Sequence, residues 1–255
     1  MPTLRIGTDD FRKHRDAGGY LVDKSLLIRK VLDGSEALLL PRPRRFGKTF
    51  NLSMLRYFFE KCDEPRGHLF EDLNIADDPQ AMEHQGRYPT IFLSLKDVGG
   101  PDWKTARKDL VREISALYRE FDYLRDHLRP EEREGFDALC LRNAGRATLQ
   151  GSLRDIITYL YRHHDSPVVI LIDEYDSPVI EAYDGGYYEP MIGFMRAWLG
   201  AGLKHQQGQA VFRAVVTGIL RIARESIFSG LNNLKVHSLL SRSPFADMFG
   251  FTEPE

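Results

Sequence analysis

Four apolar runs and a weaker fifth, set apart by stretches with helical periodicity, constrain this chain more than any other feature. They fall at residues 37–40, 90–95, 168–172, 210–217 and, weakest, 234–238. The run Val168-Val169-Ile170-Leu171-Ile172 has no polar alternation, so it is expected as a central strand covered on both faces. Between the runs, Trp103, Ala106, Leu110, Ile114, Leu117 and Phe121 recur at steps of three and four. Leu153, Ile156, Ile157, Leu160 and Tyr161 do the same before the third run, as do Met191, Phe194, Met195, Trp198 and Leu199 before the fourth. Each stripe reads as the core-facing side of a helix. Strands alternating with such helices predict an α/β domain with a mostly parallel sheet.

Composition fits one large domain. Of 255 residues, 42% are hydrophobic and 11% aromatic, enough for a core, which excludes a disordered or fibrous chain. With 35 Lys and Arg against 37 Asp and Glu, the net charge of −2 argues against a nucleic-acid coat protein but leaves room for a local basic patch. Two cysteines, Cys62 and Cys140, cannot build a disulfide framework or a four-cysteine zinc site, so a reducing cytoplasmic setting is expected. The opening MPTLRIGTDDFRKHRD is charged where a signal peptide is apolar. No window approaches about 18 consecutive apolar residues, so no membrane span is expected.

Three parts follow along the chain. Residues 1–35 form a leader whose Phe11, Tyr20, Leu21, Leu26, Leu27, Ile28, Val31 and Leu32 pack onto the core, with Asp9-Asp10 marking a helix start. Residues 36–240 form the core, and 241–255 begin a C-terminal segment that is cut short. Residues 61–67, 77–89 and 177–186 read as loops, and 122–150 as decoration carrying a helix at 130–141. His163-His164 ends a helix and reads as a cap rather than a metal site.

The strongest chemical signal is Arg42-Pro43-Arg44-Arg45-Phe46-Gly47-Lys48-Thr49, between the first strand and a helix expected over 49–59. A loop entering a helix aims unpaired N–H groups and the positive end of the helix dipole at one point, which suits a phosphate. Gly47 permits close backbone approach, Lys48 can reach β- and γ-phosphates, and Thr49 offers a hydroxyl to Mg²⁺. This is the second half of the Walker A pattern. Arg42 stands where that pattern expects its first glycine, and Pro43 has no N–H to donate. Arg42, Arg44 and Arg45 read either as a solvated basic surface or as charge for a triphosphate or a nucleic-acid backbone.

The second signal is Asp173-Glu174 at the end of the most apolar run, the Walker B arrangement. Ligands of open α/β sheets sit at that edge. Asp173 is expected in the Mg²⁺ shell and Glu174 to orient or deprotonate water, which requires the chain to bend after Ile172. Thr217 ends the fourth run, where a γ-phosphate sensor would stand. Arg221 and Arg224 follow; either could reach the triphosphate or that of a neighbouring subunit in a homo-oligomer, or simply be surface charge.

Taken together, these segments resemble the predicted AAA-ATPase-like proteins of bacteria and archaea. The matching stretches are IGTDDFRKHRDAGGYLVDKSLLI, LLPRPRRFGKTFNLSMLRYFF, YPTIFLSLKDV, VVILIDEYDSPVIEAY, VTGILRIARESIFSGLNNLKVHS and FGFTEPE, nearly the whole chain. The resemblance implies an ATP-binding P-loop NTPase domain of the additional-strand, catalytic-glutamate type, with sheet order 5-1-4-3-2. RPRRFGK[ST] is this family's own loop, so Arg42 is in pattern. Lys48, Thr49, Asp173 and Glu174 match its nucleotide motifs. Tyr20, Asp23 and Lys24 match a leader motif expected beside the base, and Asn232 and Asn233 match without an assigned role. Such proteins commonly continue into a PD-(D/E)XK nuclease-like domain, whereas this chain ends at Glu255. Three functions are therefore weighed: an Mg²⁺-dependent ATPase acting as a switch or motor, a non-hydrolysing ATP-binding regulatory module, and a nucleic-acid binder using the basic loop.

Overall fold

A computed structural model describes residues 7–204, 209–219, 227–228, 231–239 and 243–253. The five apolar runs become strands β1 (Ala37–Pro41), β2 (Thr90–Ser94), β3 (Val168–Asp173), β4 (Val211–Gly218) and β5 (Leu234–Val236). Among the described residues the helices are α1 (Phe11–Asp16), α2 (Leu27–Asp33), α3 (Lys48–Phe59), α4 (Pro79–Met82), α5 (Trp103–Glu120), α6 (Pro130–Cys140), α7 (Arg146–His164), α8 (Ser177–Asp184) and α9 (Tyr188–Leu203). All strand pairs are parallel, in the order β2-β3-β4-β1-β5, which read from the β5 edge is 5-1-4-3-2. The chain is thus an α/β domain with helices on both faces of one parallel sheet.

Alternation along each strand divides the core in two. Ala37, Leu39, Val168, Ile170, Ile172, Ala214 and Val216 face the side covered by α5 to α9. Leu38, Leu40, Val169, Leu171 and Val215 face α1, α2 and α3. The five residues from Val168 to Ile172 are fully buried, which explains why this run is continuously apolar rather than alternating.

The leader is part of the second layer. Asp10 caps α1 by accepting from the Lys13 amide at 2.8 Å and is also held by the Tyr57 hydroxyl at 2.9 Å. The Phe11 amide donates to Ser53 Oγ of α3 at 2.7 Å, and the Phe11 ring stacks on Phe70. Phe11, Leu27, Ile28 and Val31 are fully buried.

One expected loop is a helix. Residues 177–186 carry α8, with Pro178 in its first turn and Val179 and Ala182 buried against the core. Proline lacks an N–H that the first turn would leave unpaired anyway, so Pro178 starts this helix rather than breaking it. The stretch 77–89 likewise contains α4, capped by the Asp78 carboxylate. No helix among the described residues is long and apolar enough to cross a membrane.

Candidate nucleotide site

The register of the sheet assembles the site. Leu40 pairs with Thr217 and Pro41 with Gly218, Ile172 pairs with Val216, and Ser94 pairs with Asp173, so the ends of β1, β2, β3 and β4 come together at one edge. The Arg42 amide extends the ladder by donating to the Gly218 carbonyl at 2.9 Å. The loop then turns through Arg45 (φ 68°) and Gly47 (φ 73°), and Gly47 caps α3. That turn leaves the first amides of α3 free of helical partners.

Asp173 is the centre of the polar cluster. It is 1% exposed, and its Oδ2 accepts from Thr49 Oγ1 at 2.5 Å. Its Oδ1 accepts from Thr217 Oγ1 at 2.6 Å and from the Glu174 amide at 3.1 Å. Three donors hold one carboxylate in a fixed orientation and offset the cost of burying it. Glu174 takes a left-handed backbone (φ 50°), the bend required after Ile172. It turns out of the strand direction to line a cleft of about 950 Å³.

Arg44, Arg45, Phe46, Gly47, Lys48 and Thr49 line the same cleft. Lys48 is buried, and its Nζ donates to the Pro43 carbonyl at 3.1 Å, folding the side chain back across its own loop. Arg44 and Arg45 are exposed. The leader supplies further lining from Gly7 to Lys24, and the C-terminal segment supplies Gly250 and Phe251.

The family described as Predicted AAA-ATPase matches residues 5–228. The chain belongs to this family. A relative from Azotobacter chroococcum mcd 1, described as an uncharacterized protein in the vnfD 5' region, is 27% identical over 253 residues. The match covers 99% of this chain but 43% of that protein, so the chain spans less than half of the relative's length. No solved structure matches the chain.

Within this AAA-ATPase-like domain, the expected residues separate into three groups. Lys48, Thr49, Asp173 and Glu174 come together at the sheet edge. Thr217 is fully buried, and its hydroxyl donates to Asp173 Oδ1 at 2.6 Å. Arg221 and Arg224 lie outside the described residues.

Arg42 corrects the reading of a three-arginine patch. It is fully buried, donating through Nη1 to the carbonyls of Pro41 (2.8 Å) and His237 (2.6 Å) and through Nη2 to that of Phe245 (2.9 Å). Its guanidinium also lies 4.8 Å from the centre of the Phe249 ring. Burial lowers its pKa to about 10. Arg42 binds the C-terminal segment to β1 and presents no charge to solvent.

The leader motif splits in the same way. Asp23 caps backbone amides, accepting from Ser25 at 2.7 Å and Asn74 at 2.7 Å. Lys24 Nζ donates to the Asp247 carbonyl at 2.8 Å. Tyr20 lines the cleft. Asn233 donates to the Leu203 carbonyl at 3.1 Å, a structural tie between α9 and β5, while Asn232 is exposed. Asn51, which the motifs did not single out, donates from Nδ2 to the Met248 carbonyl at 2.8 Å. Its place one turn into α3, after GKT, is a signal in the sequence that marks it.

Proposed function

We propose that the chain is a Mg²⁺-dependent ATPase acting as a switch or motor on a partner. The observation that carries this reading is the hydrogen bond between Thr49 Oγ1 and Asp173 Oδ2, which joins the loop to the strand end beside Lys48. A hydroxyl and a carboxylate are hard oxygen donors suited to Mg²⁺, an ion that keeps several waters and phosphate oxygens and needs few protein ligands.

In this reading the amides of Gly47, Lys48 and Thr49 at the start of α3 take the phosphates. The Lys48 ammonium leaves the Pro43 carbonyl to bond phosphate oxygens. Thr49 and Asp173 would hold Mg²⁺, which supplies charge neutralisation for the triphosphate. Glu174 orients the attacking water and accepts its proton on the carboxylate, while Thr217 keeps Asp173 aimed. Arg44 and Arg45 add exposed positive charge at the mouth.

Glu174→Gln preserves the size and shape of the side chain but removes the base. It is expected to retain ATP binding and to lower the rate of phosphate release by about 10²–10⁴-fold. A Glu174→Gln protein that hydrolyses ATP at the wild-type rate would refute the assigned role. A wild type that binds ATP without releasing phosphate would make the domain a regulatory ATP-binding module.

A further inference from the structure

The residues assigned to phosphates and Mg²⁺ occupy one part of a cleft of about 950 Å³. Beyond them the wall is apolar and aromatic: Tyr20, Leu21 and Val22 of the leader, Phe50 and Met54 of α3, and Phe251 of the C-terminal segment. Two of these rings stand open to water, Tyr20 at 51% and Phe251 at 80% exposure. Large aromatic side chains left in solvent beside a charged phosphate site call for a planar partner.

Both rings are placed by the same local device. Tyr20 follows Gly19, where a Cβ would come within 2.5 Å of the His14 imidazole. That imidazole donates from Nε2 to the Tyr20 carbonyl at 2.9 Å and sits edge-on to Phe50, so the turn carrying Tyr20 is fixed against α3. Phe251 follows Gly250, whose φ is +70° and whose Cβ would lie 2.9 Å from the Phe46 ring. The Gly250 amide donates to the Phe46 carbonyl at 3.2 Å, and Asn51 holds the Met248 carbonyl just before it. Each aromatic therefore follows a glycine packed against a ring of the leader or the phosphate loop, His14 beside Gly19 and Phe46 beside Gly250, where an added Cβ would force that neighbouring ring to shift.

We infer that Tyr20 and Phe251 form a stacking subsite for the base of a purine nucleoside triphosphate. This rests on the reading that Gly47 to Thr49 take the phosphates. Stacking senses the area of the ring and not the pattern on its edge, so the subsite favours purines over pyrimidines and separates ATP from GTP weakly. It also lets the base bridge the leader and the C-terminal segment, one ring coming from each, beside the existing tie from Lys24 Nζ to the Asp247 carbonyl.

The test is calorimetric titration of the full chain with Mg²⁺ and ATP, CTP or inorganic tripolyphosphate. Tyr20→Ala and Phe251→Ala are each expected to weaken ATP binding about tenfold and to leave tripolyphosphate binding unchanged. Tyr20→Phe should bind ATP as the wild type does. Both positions are exposed, so melting temperatures should match the wild type. As a second readout, the fluorescence of a Phe251→Trp protein should be quenched by ATP but not by tripolyphosphate.

The subsite is overturned if the alanine variants keep wild-type ATP affinity, if they lose ATP and tripolyphosphate in equal proportion, or if CTP binds as tightly as ATP. Lys48→Ala separates the two readings. If it leaves both ligands unaffected while Tyr20→Ala still weakens ATP, the phosphate assignment falls and the base subsite stands.

Discussion

The two halves of the segment from Arg42 to Thr49 carry the same kind of charge and do opposite work. In the first half, Arg42 is sealed in the core with three carbonyl partners, from β1, from just after β5 and from the C-terminal segment. In the second half, Lys48 is buried too, yet it has one carbonyl partner within its own loop and lines a cleft. A guanidinium offers five donors in a planar fork and can satisfy several fixed carbonyls at once, whereas an ammonium is a movable point charge. The difference fits the absent first glycine. The Arg42 side chain ties the C-terminal segment to the loop that lines the cleft.

Breaking the first half should have the largest effect. Arg42→Ala strands two buried carbonyls and one part-buried one, each worth about 1–3 kcal/mol, for a loss of about 3 kcal/mol or more. For a chain of this size that is a fall in melting temperature of about 6–12 °C. Arg42→Lys should recover only part of it, because one ammonium cannot reproduce the planar fork. If Arg42→Ala melts like the wild type but no longer binds ATP, the division of the loop is wrong.

Lys48→Ala is the converse. It removes one hydrogen bond within the protein, worth about 0.5–1.5 kcal/mol, so the melting temperature should fall by only about 1–6 °C. ATP affinity should fall about a hundredfold or more, since each bond to a charged group contributes about 1.5–3 kcal/mol. Differential scanning calorimetry and titration on the same two variants give a crossed pattern if the comparison holds. Parallel losses in both would erase it.

Thr217→Val sharpens the picture behind the cleft at smaller cost. The substitution keeps volume and branching but removes the donor to Asp173 Oδ1, leaving the Glu174 amide as that oxygen's partner. A loss of about 1.5–3 kcal/mol in stability is expected. As a positioning residue, Thr217 should affect the Mg²⁺ concentration needed for half-maximal turnover more than ATP affinity at saturating Mg²⁺. An unchanged Mg²⁺ requirement would make the hydroxyl purely structural.

How much of this the amino-acid order discloses depends on the reach of each interaction. The strand 168–172, the GKT helix start and the acidic pair at 173–174 are local patterns, and the structure places all of them at one edge. Helix α8 escaped because its buried face is short and Pro178 resembles a stop signal out of context. Arg42 escaped for a different reason. Its partners His237 and Phe245 lie 195 and 203 residues away, so no window around the loop contains them. Thr217 lies at the end of β4 as the apolar run predicts, but the contact of its hydroxyl with Asp173 is set by the pairing of β3 with β4, which sequence spacing does not encode. Tyr20 and Phe251 share a cleft only because the leader and the C-terminal segment both fold onto the loop.

The smallest effect belongs to Arg45, and it isolates exposed charge from backbone shape. Arg45 holds φ at 68°, a region costly for residues with a Cβ and free for glycine. Arg45→Gly therefore keeps the turn, relieves local strain of about 1 kcal/mol and gives back a similar amount in unfolded-chain entropy, so stability should stay within about 0.5 kcal/mol of the wild type. Only the charge is lost. Since Arg45 is exposed at the mouth of the cleft, its attraction for a triphosphate is screened over about 8–10 Å at physiological salt. KM for ATP should rise about two- to fivefold at low ionic strength, and the gap should close near 0.5 M salt. A salt-independent change in KM would mean that Arg45 makes a desolvated contact with the nucleotide, and the first half of the segment would then share the second half's role.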